Sequence, residues 1–222
     1  LEKQKLYGYS ELNLLNCNDD PTFLREAIHS WIARPFTPAL QANVVQVVVN
    51  GENWGLFANV QQFDKTFLDG EFGTKKGVRF KVPANPRGGA GLGDLGDDRA
   101  AYERAYELKG KVDDEAGAWQ RLMAVCKAVS TTPIADLERE LPKVLEIDAA
   151  LWFLALDAAV LDGDGYLARA SDFVLWESPE GRFRPLPYDN NEILGAGPMG
   201  GMRGGRGGPG QGGPGQGGQG QG

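Results

Sequence analysis

The spacing of apolar residues changes several times along this 222-residue chain, and each change marks an element. "DDPTFLREAIHSWIAR" places Phe23, Ala27, Ile28 and Trp31 at helical spacing, with Asp19 or Asp20 as N-cap and Pro21 in the first turn, which predicts an amphipathic helix. His29, the only histidine, lies one residue off that stripe and is expected at the helix surface or half-buried. "NVVQVVVNGENWGLFANVQQF" then switches to β-branched and aromatic runs on either side of Asn50-Gly51. Asn-Gly tolerates the left-handed backbone of a two-residue turn, so an antiparallel hairpin is predicted over about 43–62. "FDKTFLDGEFG" reads as a short helix ended by Gly70 or Gly73, and "GVRFKVP" as a third strand stopped by Pro83. Residues 1–83 are thus expected to form an N-terminal sheet-plus-helix lobe that carries Lys81.

"ANPRGGAGLGDLGDD", residues 84–98, follows as a Gly-rich loop long enough to suggest functional use or mobility. Helical spacing resumes at about 98–110, 114–130, 134–145 and 147–161. The last of these, "IDAALWFLALDAAVL", is apolar nearly all round and is expected at the centre of a helical C-terminal lobe spanning 99–194. "DFVLW" and "RFRPLPY" then predict two strands joined by the turn "ESPEGR". The pattern as a whole is α+β. Residues 195–222 hold sixteen of the 32 glycines and almost nothing to bury, and are expected to be disordered.

Composition narrows the function classes. With 30 acidic against 23 basic residues the net charge is −7, which argues against a nucleic-acid-binding surface. No apolar run approaches the roughly 18 residues that span a bilayer, so membrane insertion is not expected. The opening "LEKQKLYGYSELNLL" has no basic-then-apolar leader pattern and reads as a mature or excised piece. Cys17 and Cys126 are far apart and lack metal spacing, and are read as buried free thiols.

The chemistry gathers in "LDGDGYLARASDFVLW". Asp162 and Asp164 follow an apolar helix, Asp172 begins a strand, and the hairpin turn returns Asp189 to the same end. Two like charges about 4 Å apart repel by roughly 4 kcal/mol at an effective dielectric of about 20, so such a cluster calls for cations or raised pKa values. Oxygen donors without cysteine favour hard ions, Mg²⁺, Mn²⁺ or Ca²⁺. From the residues alone, "DGDG" fits a solvated turn equally well. An EF-hand does not fit, because Tyr166, Leu167 and Phe173 occupy positions that need an oxygen ligand, a glycine and a glutamate. No G-x-x-x-x-G-K-[ST] motif is present. Lys81 in "RFKVP", ahead of a Gly-rich loop and opposite the acids, has the parts list of phosphoryl transfer. Taken by itself, an edge-strand lysine in solvent is the simpler reading.

Several motifs stand in order along the chain: "YGYSELNLLNCNDDPTFLRE", "VVVNGENWGLFANVQQFDKTFL", "RFKVP" and "FLALDAAVLDGDGYLARASDFVLW…GRFRPLPYDNNE". Together they resemble the CotH kinase family, the spore-coat-protein-H-like atypical kinases. The resemblance implies a divergent protein-kinase-like two-lobe fold, incomplete here at both ends, that transfers phosphate from ATP to protein Ser/Thr hydroxyls with a divalent metal. By position, it implies that Lys81 contacts ATP phosphates and that Asp164, in D-G-Y, is the catalytic aspartate. Asp172 and Asp189 would hold metal with help from Asn191. Gln61 stands where many members carry the glutamate that pairs with the lysine, and Asp172 where many carry asparagine. ATP and a protein substrate are the implied partners, and a secreted, cell-envelope or spore-coat location is implied too. A pseudokinase or structural coat protein that keeps the fold, and a Ca²⁺-stabilised extracellular binding module, remain open as alternatives.

Overall fold

The computed structural model describes residues 4–195 apart from Asp19 and Pro86. The Gly-rich stretch expected to be disordered, beyond Gly195, and Asp19 as an N-cap both lie outside the described residues. In chain order the elements are β1 (Asn13–Leu15), α1 (Arg25–Ala33), β2 (Ala42–Val49), β3 (Glu52–Val60), α2 (Lys65–Phe72), β4 (Val78–Val82), α3 (Arg99–Ala105), β5 (Glu107–Lys109), α4 (Glu115–Thr131), α5 (Leu137–Glu140), α6 (Ile147–Val160), α7 (Tyr166–Arg169), β6 (Phe173–Glu177) and β7 (Phe183–Pro187). The architecture is α+β, with small antiparallel sheets and helices. Among the described residues no helix is long and apolar enough to cross a membrane.

The hairpin forms as its turn residues dictate, with Asn50 and Gly51 both in the left-handed region (φ 52° and 87°). β1 takes the free edge of β3, giving a three-stranded sheet in the order β1-β3-β2. β4 was expected beside this hairpin, but it lies in a second sheet in the order β5-β4-β6-β7. The reason is burial. Phe80 and Val82 point to one face of β4 and are fully covered by Tyr102, Trp119, Leu122 and Phe153, so this strand needs the helical part of the chain against it. On the other face, Val174, Trp176 and Leu186 pack with Leu40, Ala58, Val60, Phe67 and Leu68 from the hairpin and α2. The second sheet is therefore covered on both faces. β7 is an edge strand, which is where Pro185 and Pro187 can sit without breaking a ladder.

Three helical expectations are corrected by tertiary packing. The text 98–110 splits, because Glu107–Lys109 leaves the helix to pair with β4, Lys81 opposite Glu107. α6 is not central: it buries Phe153, Leu156, Asp157 and Val160 but leaves Leu151 and Trp152 59% and 43% exposed. α1 starts at Arg25, after a turn in which Asp20 accepts the Thr22 and Arg25 amides. Its buried stripe is Glu26, His29, Ser30 and Ala33, so His29 is buried and Trp31 stands out in solvent. Cys17 and Cys126 are free thiols, half-buried and buried.

Candidate functional site

The ladder explains why the acids meet. β4 runs antiparallel to β6, with Lys81 opposite Val174 and Val82 opposite Phe173, and Phe173 faces Pro187 across the next pair. Asp172 just before β6, Asp189 just after β7 and Lys81 near the end of β4 are thus brought to one end of one sheet. Asp172 and Asp189 both adopt left-handed backbone (φ 53° and 55°), which turns the chain sharply where it enters β6 and after it leaves β7. Lys81 shares its face of β4 with Arg79, and its ammonium lies 4.4 Å from the Tyr188 ring centre. Both basic residues, with Lys109, Asp64, Gln62 and Tyr188, line a cleft of about 270 Å³.

The loop bearing Asp162 and Asp164 is held from α6. Asp157, near the end of that helix, accepts the amides of Leu167 (2.7 Å) and Tyr166, and so caps α7 from outside it. Gly165 allows this approach, since a Cβ there would overlap Asp157 Oδ1. Ser171 donates to the Asp164 carbonyl at 3.1 Å, and Arg169 lies 3.9 Å from the Asp164 carboxylate and 3.4 Å from Glu192. The 84–98 loop backs the same segment: Gly91 N–H donates to the Ala170 carbonyl at 3.0 Å, and Tyr106 donates to the Gly91 carbonyl.

The electrostatics are those of crowded acids. Burial first, then the Asp164 and Asp189 charges, push the Asp172 carboxyl up to about 7, with Lys81 opposing. Asp189 is raised by burial, again against Lys81. Asp162 and Asp164 are both raised, burial being the largest cause for each. Asp164 Oδ1, Asp172 Oδ2, Asp189 Oδ1 and Asn191 Oδ1 are buried and have no hydrogen-bond partner among the described residues. Buried polar atoms are ordinarily satisfied, and the chemistry of four such oxygens on these residues is that of donors to a hard cation. Among the described residues, no three His, Cys, Asp or Glu side chains are grouped to hold a metal ion by themselves. Oxygen donors of the kind these residues carry are those of Mg²⁺, which takes one or two carboxylates and completes its shell with water and phosphate oxygens.

Gln61 is not brought to Lys81's cleft. Its side chain accepts the Gln41 amide at 3.2 Å, and it lines a smaller cavity of about 110 Å³ with Glu26, Tyr188 and Asp189. Glu26 is the residue that sequence reasoning missed. It is buried on α1, accepts the Asn190 backbone N–H at 2.8 Å, and has its carboxyl pushed up to about 7 by burial and then by Asp189. The signal was the Glu26, His29, Ser30, Ala33 spacing, a helical stripe that is mostly polar and so is not picked out by hydrophobicity.

A search of curated proteins finds no significant match. The family model described as CotH kinase protein matches residues 1–213, nearly the whole sequence. This chain therefore belongs to the CotH kinase protein family.

Proposed function

We propose that the chain is an ATP-dependent, metal-dependent protein kinase that transfers the γ-phosphate to Ser/Thr hydroxyls, on a divergent two-lobe kinase-like fold. The supporting observation is the set of buried, partnerless oxygens on Asp164, Asp172, Asp189 and Asn191, assembled at the sheet end that also carries Lys81. Lys81 would bind phosphate oxygens, while Asp172, Asp189 and Asn191 would hold Mg²⁺ or Mn²⁺, with Ca²⁺ as a further hard ion of the same donor preference. When bound, such an ion offsets the negative charge on the phosphates. Asp164 would orient the acceptor hydroxyl and take its proton as the hydroxyl oxygen bonds to the γ-phosphorus and ADP leaves. An envelope or exported location belongs to the same proposal and rests on family membership alone.

The experiment is phosphate incorporation from ATP with Mg²⁺ or Mn²⁺, into the protein itself and into a Ser-rich acceptor. Asp164→Ala and Asp189→Ala are each expected to abolish it. Incorporation by both variants equal to the parent protein would overturn the proposal. A second reading, nucleotide binding without transfer, is favoured by Gln61, a neutral side chain engaged with Gln41 and not with Lys81. ATP plus metal raising the melting temperature with no turnover would select it.

A further inference from the structure

Once β7 ends at Pro187, no ladder among the described residues holds the chain that carries the proposed metal donors. Residues 189–194 are tied by other elements, among them α7 through Arg169 and Glu192. On one side the Leu194 amide donates to the Val160 carbonyl at the end of α6 (2.7 Å), and the Gly163 amide reaches the Glu192 carbonyl (3.4 Å). On the other side two neighbours on α1 grip consecutive residues. Glu26 accepts the Asn190 backbone N–H at 2.8 Å, with its second oxygen 3.4 Å from the Asn190 side-chain amide, and Arg25 donates to the Asn191 carbonyl at 2.9 Å.

Arg25 is itself held. Asp20 accepts its backbone N–H at 3.0 Å, and the Asp20 carboxylate stands 3.8 Å from its guanidinium Nε. Thr22 fixes that carboxylate, donating to it from both its amide (3.0 Å) and its hydroxyl (2.6 Å). The "DPTFLRE" stretch, conspicuous in the sequence but without a role so far, is therefore one connected device aimed at the residues between Asp189 and Asn191. Its composition would otherwise be unfavourable. Glu26 is 4% exposed and lines one cavity with Asp189, and burying a carboxyl group there carries a cost that its hydrogen bonds to Asn190 offset.

We infer that Glu26 and Arg25 are positioning residues, which set the Asp189–Asn191 segment in place so that its donor oxygens converge on a divalent cation. This inference rests on the metal-dependent reading above. It makes α1 the support that orients donor groups without touching the ion, a role whose loss ordinarily weakens metal binding about 10–100-fold.

The test is a titration of Mn²⁺ alone, and of Mn²⁺ with a non-hydrolysable ATP analogue, with free ion read by electron paramagnetic resonance. The proteins are the parent chain, Glu26→Ala, Glu26→Gln and Arg25→Met. Glu26→Ala and Arg25→Met are expected to raise the Mn²⁺ concentration for half-saturation by about tenfold or more. Glu26→Gln keeps an acceptor for the Asn190 amide and is expected to stay within about threefold of the parent. In turnover, the half-saturating metal concentration shifts while kcat at saturating metal recovers, a split that loss of fold stability alone does not produce. If Glu26→Ala does not fold, Arg25→Met decides, since it keeps the aliphatic stem and removes the guanidinium that reaches the Asn191 carbonyl. Parent-like Mn²⁺ affinity in a folded Glu26→Ala or Arg25→Met overturns the inference and leaves the kinase reading standing. Failure of the parent chain to bind Mn²⁺, with or without the analogue, overturns both.

Discussion

Replacing Gly165 by alanine probes how the acid-bearing loop is held. Gly165 has a φ of −65°, open to any residue, so the penalty is steric and not one of backbone conformation. A Cβ there overlaps Asp157 Oδ1 and stands 2.9 Å from Asp162 Oδ2. Asp157 must then move away from the Leu167 and Tyr166 amides that it accepts. Hydrogen bonds to a charged acceptor contribute about 1.5–3 kcal/mol each, so losing one or both costs roughly 2–5 kcal/mol. At about 2–4 °C per kcal/mol for a domain of this size, Gly165→Ala should melt roughly 5–15 °C below the parent in thermal denaturation followed by circular dichroism. Gly70, inside α2 with open space at its Cβ position, supplies the control: Gly70→Ala should raise stability by about 0.5–1 kcal/mol. The route is checked by a double-mutant cycle. On an Asp157→Ala background the Gly165 substitution should cost clearly less than in the parent, because the closer of the two carboxylates it displaces has gone and only the Asp162 contact remains. A Gly165→Ala protein as stable as the parent, or one whose penalty adds in full to that of Asp157→Ala, would refute the reasoning.

Two further outcomes follow from buried charge. His29 is 3% exposed, faces Asp157, Asp162 and Asp172 across a small cavity, and has its pKa pushed down to about 4 by burial, from an ordinary 6.5. Between those values the unfolded chain binds the proton and the folded chain does not, so this contribution is complete above 6.5 and lost as pH falls toward 4. Urea denaturation at pH 7 and pH 4.5 should therefore show the parent losing roughly 2–3 kcal/mol more than His29→Leu, and equal losses would disprove it. Glu177 is 3% exposed and receives the Arg121 guanidinium, while its Oε2 has no partner among the described residues. Arg121→Ala should cost about 1–3 kcal/mol in urea denaturation, and adding Glu177→Gln should recover part of it; an unchanged midpoint in the single variant would contradict the assignment.

Elements whose cause is local were legible in the residues. Asn50-Gly51 specifies its own turn, Gly73 ends α2 in the left-handed region, and Asp172 and Asp189 meet because a hairpin returns its ends to one place. The family-bearing motifs likewise lie in order along the chain, which is why family membership could be expected before any coordinates. Where β4 docks could not be read the same way. Its neighbours depend on β1 having taken the free edge of β3, and on Phe80 and Val82 needing helices that come later in the sequence. Glu26 was hidden for a related reason: its stripe is polar, and only the chain returning at Asn190, 164 residues later, turns that stripe into a contact. Hydrophobic spacing and turn chemistry act over a few residues and announce themselves in the sequence. The pairing of edges, the burial of a polar face and the support of a site from a distant helix depend on which surfaces remain uncovered once everything else has packed, and only the folded chain decides that.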